Sequence, residues 1–164
     1  MMAARVNFVG LFIVLLLCSF IASVLTIVNL PNWLFYFRPD WIALIVIYWV
    51  LAMPDRLGVV FGFIYGLLLD LLLIKAFGLN AFGFSCLAFA ISRSYMQLRM
   101  FPIWQQALLV GVLIAIMKLF IGLLAGWVSD FRFTQYYWYS IAGDIVLWPF
   151  IYIILRDLRR SLKL

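Results

Sequence analysis

The chain has 164 residues, of which 69% are hydrophobic and 11% are charged, with a mean hydropathy of +1.20. Soluble domains are about 45–50% apolar and about 25% charged, so this composition excludes a water-soluble globular domain and predicts one integral membrane domain. The formal charge of +6 indicates membrane topology and contact with anionic membrane lipids, and no nucleic acid partner is expected.

Six apolar segments separated by turn signals predict an all-α membrane protein, with six transmembrane helices in one bundle. The first segment has about 20 residues, the length of a bilayer span, so we expect it to remain in the mature protein and not to be cleaved as a signal peptide. The six predicted spans are about residues 8–28, 41–53, 57–74, 79–97, 104–127 and 136–156.

The second span is unusually short. At 1.5 Å per residue it rises only about 20 Å, less than the ~30 Å hydrocarbon core. Either neighbouring helices bury a short span, or the helix starts earlier and breaks at Pro39. Asp40 directly precedes Trp41 and is predicted to cap the N-terminus of this helix.

Basic residues predict that both termini lie in the cytoplasm. With an internal N-terminus and six spans, eight basic residues fall inside and three outside, as the positive-inside rule favours. Aromatic clusters at 32–41 and 131–139 then lie at the outer interface, and the basic tail at 156–163 suits anionic lipid headgroups. The internal residues are Arg5, Arg56, Arg93, Arg99, Arg156, Arg159, Arg160 and Lys163; the outer ones are Arg38, Lys75 and Arg132.

Three residues of the third span share one helix face. Gly62, Gly66 and Asp70 are spaced by four, and glycines at this spacing let a neighbouring helix approach closely in lipid. The carboxylate of Asp70 would then point into the bundle, where a partner can bind it. The simplest interpretation is a helix-packing seam that includes a buried acid.

Two further ionisable residues lie within predicted spans. Counted from the outer ends of their helices, Lys118 and Asp144 lie at similar depths of about 13 and 12 Å, and Asp70 at about 6 Å. Since an unpaired charge at such depth costs at least ~2.5–3.5 kcal/mol, we predict an ion pair between Lys118 and Asp144, with Asp70 beside it or at the outer interface. The predicted polar seam comprises Gly62, Gly66, Asp70, Lys118 and Asp144.

The sequence predicts no enzyme, no catalytic or metal site and no cofactor. The chain contains no His, so zinc motifs and histidine-dependent nucleophiles are excluded. The residues before Asp70, among them Leu68, lack the Gly-x-Gly-Asp signature of an intramembrane aspartyl protease. A transport function stays open, because six short helices without a nucleotide-binding motif are also typical of substrate-capturing subunits of vitamin transporters.

Four segments in order resemble the rod shape-determining protein MreD family over nearly the whole chain. They are FRPDW at 37–41, LAMPDRLGVVFGFIYGLLLDLL at 51–72, WQQALLV at 104–110 and VLWPF at 146–150. The resemblance implies a non-enzymatic scaffold of the bacterial inner membrane that supports lateral peptidoglycan synthesis. It also implies the partners MreC, RodA, penicillin-binding protein 2 and MreB, and the fold of the substrate-capturing S-component of energy-coupling-factor transporters.

The residues that carry the resemblance have both functional and structural interpretations. Arg38 and Asp40 could bind each other, cap a helix or contact a partner outside the membrane. Trp104 could contact a partner or start the fifth helix, and Trp148 could anchor the sixth. The family pattern maps onto Arg38, Pro39, Asp40, Gly62, Gly66, Asp70, Trp104, Gln105, Gln106, Trp148 and Pro149.

Overall fold

A computed structural model of the protein describes residues 8–28, 38–73, 78–128 and 136–161. It confirms the predicted all-α architecture with six helices. Most of the two predicted aromatic clusters, and the basic residues Arg5, Lys75, Arg132 and Lys163, lie outside the described residues. The helices are α1 (Phe8–Ile27), α2 (Trp41–Ala52), α3 (Val59–Leu73), α4 (Leu79–Met100), α5 (Ile103–Val128) and α6 (Tyr136–Ser161).

Three of the described helices contain an apolar stretch long enough to cross a membrane. These stretches are Gly10–Ile27, Ile103–Gly126 and Trp138–Ser161. The apolar helices α2 and α3 are shorter, with 12 and 15 residues. The protein is therefore a membrane protein in which long and short helices are combined.

Two helices continue past the predicted ends of their spans. The sequence predicts ends at residues 97 and 156, where the apolar residues stop, but α4 continues to Met100 and α6 to Ser161. Basic residues do not break a helix, whereas the residue before a proline avoids helical geometry. Accordingly α4 ends where Phe101, next to Pro102, turns extended with ψ of 143°.

Helix α2 forms the centre of the bundle. Every residue from Ile42 to Leu51 is buried, and the helix contacts α1, α3, α4 and α6. Its 12 residues rise about 18 Å, so the helix is too short to span a ~30 Å hydrocarbon core. The structure thus has a short, enclosed helix after Pro39; the alternative of an earlier helix start falls on residues 29–37, outside the described residues.

Candidate functional site

The N-terminal end of α2 meets charged side chains from two other helices. The backbone N–H of Asp40 donates a hydrogen bond to Asp144 Oδ1 on α6 at 2.7 Å. The Asp40 carboxylate forms an ion pair with Lys118 on α5, whose ammonium also donates to Ser140 Oγ on α6. We call Asp40, Lys118, Ser140 and Asp144 the N-terminal cluster. It joins α2, α5 and α6 through polar contacts inside the bundle.

The ion pair differs from the one predicted by depth. The carboxylate in the salt bridge with Lys118 is that of Asp40, where the sequence predicts Asp144. Asp144 is fully buried in the same cluster, but its Oδ1 accepts the backbone N–H at the start of α2, where the partial positive charge of a helix N-terminus favours an anion. Asp40 stands at the predicted cap position, yet its side chain makes no capping hydrogen bond because it binds Lys118.

The C-terminal end of α2 is held by two arginines. Arg99 on α4 donates to the Leu51 carbonyl from Nε at 3.0 Å and from Nη2 at 2.6 Å, and from Nη2 to the Ala52 carbonyl at 2.8 Å. Arg159 on α6 donates from Nη1 to the same Ala52 carbonyl at 3.2 Å. We call Leu51, Ala52, Arg99 and Arg159 the C-terminal cluster.

The two clusters solve one physical problem of a short buried helix. The first N–H groups and last C=O groups of a helix have no intrahelical partner, and in hydrocarbon each unsatisfied group costs several kcal/mol. Carboxylates at the N-terminus and guanidinium groups at the C-terminus also match the helix dipole. In the sequence Arg99 and Arg159 indicate membrane topology only, and the shortness of α2 is the feature that indicates that its ends need partners.

Asp70 caps a different helix. The fully buried carboxylate accepts hydrogen bonds from the backbone N–H groups of Gly78, Asn80 and Ala81 at 3.0, 3.2 and 3.2 Å. It also accepts one from Asn80 Nδ2 at 2.7 Å. Gly78 occupies the cap position of α4 in a left-handed conformation, φ 97°, and has no side chain to do this itself. Asp70 therefore binds the start of α4, and its predicted position beside Lys118 and Asp144 or at the outer interface stays a prediction.

The two glycines of the predicted polar seam lie against α4. A Cβ at Gly62 would lie 2.5 Å from the Phe84 carbonyl oxygen, and one at Gly66 would lie 2.5 Å from Ala81 Cα. Helices α3 and α4 share the most extensive contact between described helices. The residues of the polar seam thus divide between two sets of contacts, one at the α3–α4 interface and one at the start of α2.

The α3–α4 contact leads to a first prediction. Gly66→Ala should lower the free energy of unfolding by about 1–3 kcal/mol, because the added methyl group meets backbone atoms that cannot move aside. The measurement is SDS-induced unfolding of the purified protein in mixed micelles. Gly126→Ala is the matched control, since a Cβ there meets nothing within 4 Å, and it should be neutral or stabilising. Equal effects of the two changes would contradict this packing.

Comparison with known proteins identifies the family. A family model described as rod shape-determining protein MreD matches residues 6–158. The chain belongs to the MreD family. A Haemophilus influenzae protein named rod shape-determining protein MreD is 32% identical over 147 residues, which cover 88% of this chain and 89% of that protein. No solved structure is significantly similar. The predicted resemblance is confirmed, and with it a role in determining rod shape.

Two further residues of the MreD pattern, Gln106 and Trp148, lie inside the bundle. Trp148 Nε1 on α6 donates to Gln106 Oε1 on α5 at 3.3 Å, and Gln106 Nε2 donates to the Leu98 carbonyl on α4 at 3.1 Å. Trp148 and Gln106 are both buried, and their hydrogen bonds connect three helices. Trp104, also a residue of the pattern, lies at the start of α5 and is exposed.

The remaining residues of the MreD pattern differ in how far they are buried. Pro39 is buried next to Asp40, and Arg38 is half-buried. Gln105 is half-buried at the start of α5, and Pro149 lies inside α6, which continues on both sides of it. Their functional roles stay predictions.

Proposed function

We propose that this MreD family member is a non-enzymatic scaffold that binds MreC and thereby supports lateral peptidoglycan synthesis and rod cell shape. The observation that carries the proposal is the use of the buried charges. Asp70 and Asp144 accept hydrogen bonds from backbone N–H groups at the starts of α4 and α2, and Lys118 binds Asp40 and Ser140, so these groups stabilise the fold. A bundle with this interior acts on partners through its outer surfaces.

The proposed setting is the bacterial inner membrane, crossed several times with both termini in the cytoplasm. In this orientation the C-terminal cluster faces the cytoplasm and the N-terminal cluster faces the periplasm. RodA, penicillin-binding protein 2 and MreB belong to the proposed complex through MreC. The similarity to the fold of the S-component of energy-coupling-factor transporters stays a prediction.

We place the MreC contact on the outward face of α5. Trp104, Leu108, Val112 and Ile116 are spaced by four, so they form one stripe along the helix, and all four side chains are exposed. Trp104 belongs to the family pattern, and Trp is a frequent anchor at protein interfaces. A single-span helix such as that of MreC would pack along this stripe inside the membrane.

The test is co-purification of the full-length protein with affinity-tagged MreC. Trp104→Ala should reduce the recovered protein at least fivefold, since anchoring residues carry most of the binding energy. Phe89→Ala on α4 is the matched control, because Phe89 is 62% exposed and Trp104 63%. Unchanged recovery of the Trp104 variant, or equal loss in the control, would contradict the proposed contact.

Depletion in cells separates the scaffold from the transport alternative. The scaffold function predicts that rod-shaped cells become spherical while vitamin uptake is unchanged. A substrate-binding subunit of a vitamin transporter predicts the opposite pattern.

A further inference from the structure

A cleft opens beside the C-terminal cluster. Its volume is about 370 Å³, and it lies between α2, α4 and α6. All the charged side chains that line it are arginines, and two tyrosines supply hydroxyl groups. The lining residues are Tyr48, Leu51, Ala52, Arg99, Tyr152, Arg156 and Arg159.

The hydrogen bonds of the arginines in the cleft use only some of their N–H donors. A guanidinium group carries five N–H donors. Arg99 uses Nε and Nη2 on the α2 carbonyls, and Arg159 uses Nη1. Arg156 bonds its neighbour Asp157 at 3.3 Å, and the Asp157 side chain is 61% exposed, so this ion pair is weak. The cleft therefore has a positive field and several N–H groups for an anion.

Tyr48 provides an independent indication of a ligand. Its side chain is 2% exposed, and its hydroxyl has no hydrogen-bond partner among the residues that the structure describes. Buried hydroxyl groups are almost always hydrogen-bonded, because leaving one unpaired is costly. An unpaired buried donor beside three guanidinium groups is explained by an acceptor that enters the cleft.

We propose that this cleft binds a phosphate group, carried either by an anionic lipid or by a soluble phosphate compound. Phosphate oxygens match the planar fork of arginine, and basic pockets between membrane helices bind anionic headgroups. Arg156 and the Tyr48 hydroxyl make the direct contacts, and Arg99 and Arg159 hold the end of α2 and add positive charge. Binding would then stabilise the end of the central helix. The inference is independent of the MreC contact.

The experiment measures ligand binding to the purified full-length protein in detergent. Binding is followed by native mass spectrometry and by the shift in melting temperature. The probes are phosphatidylglycerol, zwitterionic phosphatidylcholine and inorganic phosphate. The variants are Arg156→Gln, Tyr48→Phe and, as matched control, Arg160→Gln, which removes an equal charge from an exposed site on the same helix outside the cleft.

The wild type and the Arg160→Gln variant should bind phosphatidylglycerol with the same dissociation constant. Arg156→Gln should raise it about tenfold and Tyr48→Phe about threefold, as expected for one charged and one neutral hydrogen bond. Without ligand, Arg156→Gln should keep the melting temperature, and Tyr48→Phe should keep or raise it because it removes an unpaired buried hydroxyl. If inorganic phosphate also raises the melting temperature, the ligand is a soluble phosphate compound. If phosphatidylglycerol alone raises it, the ligand is a lipid.

Two results would overturn the proposal. One is an equal loss in the Arg156→Gln and Arg160→Gln variants, which would indicate non-specific attraction of charge. The other is a wild type that does not prefer phosphatidylglycerol over phosphatidylcholine and is not stabilised by inorganic phosphate.

Discussion

Asp70→Ala should lower the free energy of unfolding by about 3–5 kcal/mol, because several donors at the buried start of α4 lose a charged acceptor and each unsatisfied buried group costs about 1–3 kcal/mol. The substitution leaves three backbone N–H groups at the start of α4 and the Asn80 amide without their acceptor. Gly78 has no side chain that could replace it. SDS-induced unfolding in mixed micelles measures the change.

The matched control for Asp70→Ala is Asp157→Ala, which removes an exposed carboxylate from α6 and should change the free energy of unfolding by less than about 0.5 kcal/mol. If the Asp70 variant unfolded as late in the SDS titration as this control, the carboxylate would not be holding the start of α4.

Lys118→Met should have the second large effect, a loss of about 3 kcal/mol in the free energy of unfolding. The Lys118 side chain is 8% exposed, and its removal leaves the Asp40 and Asp144 carboxylates together without the cation between α5 and α2. Part of the loss is offset because the Asp40 side chain is 35% exposed and can be hydrated. Thermal unfolding in detergent, followed by size-exclusion chromatography, measures it.

Arg93→Met on α4 is the control for Lys118→Met, since Arg93 is exposed and should be nearly neutral. A Lys118 variant as stable as the Arg93 variant would show that the ion pair contributes nothing.

The parts of the fold that depend on hydropathy and spacing were predictable from the sequence. Apolar segments separated by turns predict six helices, and the spacing of Gly62, Gly66 and Asp70 predicts one helix face. That face does pack against α4. These features depend on residues close together in the chain.

The partners of the charged residues were not predictable in the same way. Depth was counted only for ionisable residues inside predicted spans, and Asp40 lies just before the second span. Once α2 is known to be short and enclosed, Asp40 falls at the level of Lys118 and forms the salt bridge. Arg99 and Arg159 were missed as helix partners for the same reason.

The buried position of Trp148 was also beyond sequence analysis. Trp148 lies four residues after Asp144 and shares its helix face, but the sequence does not identify Gln106 on α5 as the partner of that face. Trp104 has only apolar neighbours on its own face and is exposed, whereas Trp148 is fully buried. Tertiary packing decides between them.

The central claim is that charged groups from neighbouring helices hold the two ends of the short buried helix α2. A double-mutant cycle of Lys118→Met and Asp40→Asn, measured by SDS-induced unfolding, tests it most directly. The account predicts a coupling energy of about 1–3 kcal/mol, with the double variant less destabilised than the sum of the two single variants. Additive effects, within about 0.5 kcal/mol, would contradict it.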